Sequence, residues 1–438
     1  MAYTKTTTTG YGQRLSGSLK GIVGGLVMFV AGTCLLWWNE GRAVKTAKAI
    51  KEAQSVAVHV DDVSSVDPSI NGKLIHASAF ADTKDTLSDG IFGVREQAIK
   101  LKRTVEYYQW VEETKTEKRD KIGGGQETVT TYTYEAKWVE SPVKSSDFED
   151  PEFRGENFVL TNVENQNQVA PTVTFGGYVL PDFLKSGISG MKPAQVNMTE
   201  AQIIEWNNEI RKSLGIDFNE SAESKKIEGP EREGNRTRSS LPGIGDSTEL
   251  VHVKDNVVYF GKSPSNPRVG DVRVTIDKVV PADVSLIAKV NGSTFEDYIA
   301  KNGESFSRIE MGIISAENMF QHAHDENTMM TWILRLVGLL LVVGGLKAMF
   351  SIVTTLLKVL PFLANIADVG IGIVCGVLGF VWSLLVIGIA WLVFRPVIGI
   401  ALLVVAVGGI IFLKSRAKKK AQDNVLNGTP PPPPTATR

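Results

Sequence analysis

Residues 369–394 of this 438-residue chain read VGIGIVCGVLGFVWSLLVIGIAWLVF, a run of 26 residues without a charge. Arg395 follows, and residues 396–413, PVIGIALLVVAVGGIIFL, add 18 more uncharged residues. A helix needs about 20 apolar residues to cross the hydrocarbon core of a bilayer. Both runs therefore predict transmembrane spans, and Pro396 suits the first turn of a helix that returns across the membrane.

Two earlier runs predict further spans at residues 21–38 and 329–346, and Arg335 is the one charge in the second of them. The first run ends in Trp37-Trp38-Asn39-Glu40 instead of a small-residue cleavage site, which indicates an uncleaved anchor. Residues 347–368 mix apolar residues with charges and a proline, so we expect a cytoplasmic or interfacial segment there.

The distribution of lysine and arginine indicates the orientation of the four spans. Cytoplasmic loops of membrane proteins carry an excess of these residues. The positions that share one side with the termini are Lys5, Arg14, Lys20, Lys347, Lys358, Lys414, Arg416 and Lys418–Lys420. We therefore expect a cytoplasmic N-terminus (1–20), a basic, proline-ended cytoplasmic tail (414–438) and an exoplasmic segment (39–328).

The composition of the whole chain hides this division. The net charge is -1, but residues 39–328 hold 34 Lys+Arg and 46 Asp+Glu, and the remainder holds 13 and 2. Such a balance excludes a strongly basic nucleic-acid binder, and two cysteines exclude a disulfide framework or a zinc site of four thiolates.

The segment 39–328 predicts a mixed α+β domain, mainly of antiparallel sheet. Apolar and polar residues alternate through Ile99–Val111 and Thr128–Val139, with a glycine-rich hairpin tip at Lys121–Gly125. One helix is predicted at Glu200–Leu214, where Thr199 and Gln202 form a capping box. Other predicted strand segments are Val56–Val60, Leu74–Phe80, Val173–Leu180, Leu250–Phe260 with a turn at Lys254-Asp255-Asn256, Val272–Val280, Val284–Val290 and Ser305–Ile314. The fold class is a four-span α-helical membrane protein with a large exoplasmic domain.

The sequence contains few motifs that indicate a chemical activity. We identify no catalytic and no cofactor-binding residue, because the chain has no phosphate-binding loop, nucleophile elbow or His-Glu-x-x-His. His322 and His324 are the candidates for a metal site, but two histidines at this spacing share a metal only if the backbone is not helical.

The loop Ser221–Ser247 and the prolines Pro430–Pro434 are candidate binding segments, and solvated chain is the alternative for both. Four asparagines are glycan acceptors in a secretory compartment: Asn197, Asn219, Asn235 and Asn291.

Several landmarks resemble the transmembrane protein 43 family, also called LUMA. They are Asn39–Ala47 (NEGRAVKTA), Tyr108–Glu112 (YQWVE), Tyr132-Thr133-Tyr134 with Trp138, Val269–Val274 (VGDVRV), Thr331-Trp332 with Leu334-Arg335, and Arg395-Pro396. The family has one amino-terminal span, a large luminal domain and three clustered spans, in agreement with the charge count. The hairpin tip, the loop and the tail depart from its pattern.

This resemblance implies a non-enzymatic scaffold without cofactors. Animal members self-associate in the endoplasmic reticulum and inner nuclear membrane and are linked to lamins and emerin, whereas bacterial relatives act in envelope stress or membrane integrity. Expected partners are the lipid bilayer, a second copy of the chain and other membrane proteins, and no nucleic acid. The family positions carried over as structural or interface candidates are Asn39, Glu40, Gly41, Arg42, Trp332, Arg335, Arg395 and Pro396.

Glu40 and the arginines form a specific hypothesis. We expect Glu40 to pair with Arg335 or Arg395 at the outer membrane surface, and the alternative is that each arginine faces lipid phosphate. For the whole protein, the alternatives to a scaffold are a channel or transporter subunit, an envelope-stress sensor and, last, a lipid-handling enzyme. The short polar amino terminus favours a bacterial inner membrane with a periplasmic domain over the endoplasmic reticulum or inner nuclear membrane.

Overall fold

The computed structural model describes residues 2–214, 249–359 and 361–426, so the loop Ser221–Ser247 and the prolines Pro430–Pro434 lie outside the described residues. Two units are distinguished. The strand unit comprises the described parts of Met1–Thr9, Ala49–Asp120 and Gln126–His322. The helix unit comprises the described parts of Gly10–Lys48, Lys121–Gly125 and Ala323–Arg438.

Nineteen strands and six α-helices are present in the described residues. The strands are β1 Ala2–Thr9, β2 Val58–His59, β3 Leu74–Asp82, β4 Thr86–Asp89, β5 Val94–Gln97, β6 Lys100–Asp120, β7 Gln126–Val139, β8 Gln166–Val169, β9 Thr174–Phe175, β10 Tyr178–Val179, β11 Lys192–Pro193, β12 Val251–Lys254, β13 Val257–Phe260, β14 Val272–Val279, β15 Ala282–Asn291, β16 Thr294–Glu296, β17 Tyr298–Ile299, β18 Ser305–Phe306 and β19 Arg308–Met311. The helices are α1 Tyr11–Val56, α2 Asp182–Lys185, α3 Glu200–Ser213, α4 Ala316–Leu357, α5 Pro361–Phe394 and α6 Pro396–Leu426.

The strand unit contains two large, mainly antiparallel sheets. One has the order β1-β7-β6-β14-β13-β12, with β8 paired to β6 and β11 to β14. In the other, β15 pairs with both β3 and β16, and β10 and β9 connect β16 back to β3. Its apolar core includes Ile75, Phe175 and Leu286, whereas Val105 and Phe260 lie in the core between the first sheet and α3. The predicted α+β domain with antiparallel sheet is confirmed.

Local sequence signals account for several of these elements. The capping box of α3 is formed in both directions, because the Thr199 side chain accepts from the Gln202 backbone and the Gln202 side chain accepts from the Thr199 backbone. The single strand predicted over Val173–Leu180 is wrong, because the chain reverses there between β9 and β10. Gly176 adopts φ +60° in that turn, a conformation that glycine permits.

The helix unit has four helices long and apolar enough to cross a membrane, which confirms the predicted number of spans. Helices α1 and α4 approach closely at glycines, since a Cβ atom at Gly25 would lie 2.7 Å from the carbonyl oxygen of Gly345, and one at Gly32 would lie 2.9 Å from that of Gly338. In each helix the two glycines are seven residues apart, so they lie on one face. Not every glycine of the spans is in such a contact, because nothing lies within 4 Å of a Cβ atom at Gly376 of α5.

Two segments have structure that the sequence analysis did not describe. Most of residues 347–368 are helical, because α4 continues to Leu357 and α5 begins at Pro361, where a proline fits the first helical position. At the amino terminus, β1 pairs along its length with β7, and the sequence analysis did not predict this strand.

Candidate functional site

Helix α1 continues past the apolar run and carries Asn39–Arg42 on its next turn. Asn39 and Glu40 are completely buried, which is costly for an amide and a carboxylate unless hydrogen bonds compensate. Their partners come from α4 and α5, and together these side chains form what we call the polar cluster.

Glu40 and Arg335 form the centre of the polar cluster. Nε of Arg335 donates to Oε1 of Glu40 at 2.6 Å, and Nη2 donates to Oε2 at 3.0 Å. Nε1 of Trp391 donates to Oε2 as well, at 2.7 Å. The Arg335 side chain is 14% exposed, so it is largely withdrawn from solvent, and the predicted pairing with Glu40 is present. The two oxygens of a buried carboxylate thus accept three hydrogen bonds from two other helices.

Asn39 and Arg42 extend the polar cluster along α4. Nδ2 of Asn39 donates to the carbonyl oxygen of Thr331 at 3.0 Å. The Arg42 guanidinium donates to Oδ1 of Asn327 and to Oγ1 of Thr331, both at 3.1 Å. Asn327 returns a bond from its Nδ2 to the carbonyl oxygen of Ala43 at 3.0 Å. Helices α1 and α4 are therefore joined by hydrogen bonds in both directions.

The other predicted residues lie at the edge of the polar cluster. Gly41 leaves room for the Phe394 ring, which would lie 3.0 Å from a Cβ atom there. The Arg335 guanidinium lies 4.8 Å from the centre of the Trp332 ring, and that of Arg395 lies 5.9 Å from the Trp391 ring. Pro396 begins α6 directly after Arg395, as the sequence predicted.

Sequence reasoning missed four members of this arrangement: Asn327, Thr331, Trp391 and Phe394. A signal was available for three of them. Asn327, Thr331 and Arg335 follow one another at intervals of four, and so do Trp391 and Arg395, which places each set on one helix face. Phe394 carries no comparable signal, because its contact with Gly41 depends on the packing of α5 against α1.

The two histidines that were candidates for a metal site have different neighbours. Nδ1 of His322 lies 2.8 Å from Oε2 of Glu310 in the strand unit, whereas His324 lines a cavity beside the polar cluster in the helix unit. Both lie in helical backbone. The residues that the structure describes contain no group of three or more histidine, cysteine or acidic side chains suited to a metal.

A second polar arrangement lies in the strand unit, at His59 and His76. Nδ1 of His59 lies 2.9 Å from Nδ1 of His76, and Nε2 of His76 lies 2.9 Å from the carbonyl oxygen of Ile314. His76 is 3% exposed, and burial lowers its pKa because the charged imidazolium is desolvated. The neutral ring of His76 therefore connects β3 to the segment that precedes α4.

Comparison with known proteins identifies relatives of the whole chain. The family model described as Transmembrane protein 43 matches residues 107–396. Transmembrane protein 43 of Rattus norvegicus is 30% identical over 411 residues, 94% of each chain, and that of Homo sapiens is 29% identical over 412 residues, also 94% of each chain. The Transmembrane protein 43 homolog of Drosophila melanogaster is 27% identical over 86% of this chain and 90% of its own. No solved structure matches. With a family model over most of its length and such relatives over nearly all of it, the chain belongs to the transmembrane protein 43 family and is an integral multi-pass membrane protein.

Proposed function

We propose that this protein is a non-enzymatic membrane scaffold that self-associates, organises membrane protein complexes and thereby maintains membrane integrity. One observation carries the proposal. Both oxygens of the buried Glu40 carboxylate accept hydrogen bonds from Arg335 and Trp391, so this buried acid joins α1 to α4 and α5, which is a structural role.

The apolar surface of α5 and α6 supports association with lipid, with another copy or with other membrane proteins. In the most apolar stretch of α6, a share of 7% is buried within the chain, and in that of α5 the buried share is 28%. Helices in lipid associate by close packing, so these open faces can accept another helix.

The test is purification of the full-length protein from its native membrane in a mild detergent, with the particle mass and the co-purifying proteins measured. A mass of two or more protomers, with reproducible membrane-protein partners, is expected. A monomer without partners would overturn the proposal. Conductance of liposomes that contain the purified protein would favour the alternative, a channel or transporter subunit.

For orientation we propose cytoplasmic termini and an exoplasmic 39–328 segment. Strand β1 bears on this point, because it precedes the first span, whereas its partner β7 follows that span. A first span that crosses the bilayer puts Ala2–Thr9 and Gln126–Val139 on opposite sides, so crossing and pairing exclude each other. Burying 18 uncharged residues in lipid outweighs the pairing of one largely exposed edge strand, which favours crossing.

For the compartment we propose a bacterial inner membrane, with the endoplasmic reticulum or inner nuclear membrane as the alternative. Asn197 and Asn291 are exposed glycan acceptors. In an endoplasmic reticulum lumen, either one would give a mass shift that an endoglycosidase removes. Such a shift in the protein from its native cell would overturn the bacterial assignment, and its absence together with envelope fractionation would support it.

A further inference from the structure

A cavity of about 270 Å³ opens beside the polar cluster, within the helix unit. The residues that matter for its chemistry are Asn327, Thr328, Trp332, Arg335, Trp391 and Arg395. None of its lining residues is acidic. These positions lie where the apolar runs of α4 and α5 end, and tryptophan and arginine at that level are typical of the membrane–water interface.

The charged side chains of the polar cluster and of the cavity lining are mostly positive. Arg42, Arg335 and Arg395 bring three guanidinium groups, and Glu40 is the carboxylate bonded to one of them. Arg42 donates to neutral oxygens, and its Nε atom is buried without a hydrogen-bond partner in the described residues. Arg395 contacts the Trp391 ring and forms no ion pair among those residues. Both arginines are partly buried, and withdrawing a cationic group from water is costly without a compensating anion.

The surroundings indicate which anion compensates this charge. Trp332 is 63% exposed and Leu336 is 57% exposed, so apolar surface continues from the cavity along α4 toward the bilayer interior. A free phosphate ion would leave this surface uncovered, whereas a phospholipid covers it with acyl chains. We propose that the cavity binds the phosphodiester headgroup of one membrane phospholipid, with Arg395 as the residue that contacts the phosphate.

The geometry gives the bound lipid a structural effect. Arg395 is the single residue between α5 and α6, and Arg335 belongs to α4, so a phosphate between them connects all three helices. Guanidinium groups bind phosphate oxygens in pairs, which gives both strength and orientation. A ligand that binds only the folded state stabilises it, and the stabilisation rises with the logarithm of the ligand concentration once that concentration exceeds the dissociation constant.

The experiment uses the full-length protein, delipidated in a neutral detergent. Native mass spectrometry counts bound dioleoylphosphatidylglycerol, and thermal unfolding measures its stabilising effect. We expect one retained lipid and a raised melting temperature. Arg395→Gln should weaken binding about tenfold and Arg395→Lys less, because lysine keeps the charge and loses the paired donors. Arg416→Gln removes the same charge at the opposite end of the apolar part of α6 and should bind as the wild type does.

Three results overturn the proposal. One is equal lipid binding by Arg395→Gln and Arg416→Gln when the lipid-free melting temperatures show that both variants are folded. Another is equal binding of dioleoylglycerol, which has the same chains and no phosphate. The third is complete displacement of the lipid by inorganic phosphate, which would assign the cavity to the free anion instead.

Discussion

Glu40 and Arg335 are the residues on which the stability of the helix unit depends most directly. Each would be left as an uncompensated buried charge if the other were removed, and breaking such a pair costs about 3–5 kcal/mol. We expect Glu40→Gln and Arg335→Gln each to lower the melting temperature strongly, and the double variant to be less destabilised than the two losses added together.

Thermal unfolding of the full-length protein in detergent measures this double-mutant cycle. Glu317→Gln is the matched control, since that carboxylate is exposed at the start of α4 and its removal should change stability by about 0.5 kcal/mol or less. Losses that simply add in the double variant would show that the pair does not interact. A charge reversal is a poorer test, because Trp391 donates to Glu40 and would then face another donor.

His76 predicts how stability depends on pH. Its Nε2–H donates to Ile314, so its Nδ1 accepts from His59, whose other nitrogen lies 3.0 Å from Oδ1 of Asp61. Burial lowers the pKa of His76, so between its folded-state pKa and about 6.5 the unfolded chain binds a proton that the folded chain does not. Stability is then complete above about pH 6.5 and falls below it, by at most about 1.4 kcal/mol per pH unit from this residue.

Chemical unfolding at several pH values tests this expectation on the full-length protein. His76→Gln should flatten the decline below about pH 6.5. An unchanged pH profile in His76→Gln would assign the decline to other groups.

At the scale of the element, glycine sets the distance between α1 and α4. Gly25→Ala would place a methyl group 2.7 Å from the carbonyl oxygen of Gly345, so the helices must separate, at a cost of about 1–3 kcal/mol. Gly24→Ala is the control on the same helix, because nothing lies within 4 Å of its Cβ and alanine favours helix by roughly 1 kcal/mol.

Thermal unfolding in detergent should therefore give a lowered melting temperature for Gly25→Ala and an equal or raised one for Gly24→Ala. Similar changes in both variants would mean that this glycine contact does not limit the approach of the helices.

For the whole molecule, the prediction concerns the side of the membrane on which β1 and β7 lie. In a background without Cys34 and Cys375, Thr4→Cys/Thr131→Cys joins directly opposed positions of β1 and β7. If the first span crosses the bilayer, this pair forms no disulfide in membrane-inserted protein under a mild oxidant. Thr116→Cys/Thr130→Cys, opposed within the β6–β7 hairpin, should cross-link readily. A Thr4–Thr131 cross-link as efficient as the control would place both positions on one side and overturn the proposed orientation.

The sequence by itself determined the properties that depend on neighbouring residues. Long uncharged runs predict spans because lipid excludes charge, the capping box predicts the start of α3, and the glycines of Lys121–Gly125 predict the β6–β7 turn. The division of charge between residues 39–328 and the remainder of the chain is likewise read directly from the sequence.

Only the tertiary structure decided which distant residues meet. The sequence offered Glu40 either Arg335 or Arg395, and the packing of α1 against α4 selects Arg335, which is 295 positions away. The contact of Gly25 with Gly345, the Trp391 bond and the excess of positively charged side chains around the cavity arise in the same way. Helix periodicity predicts which face a residue occupies, but the partner of that face depends on how the helices cross, and no local pattern encodes that crossing.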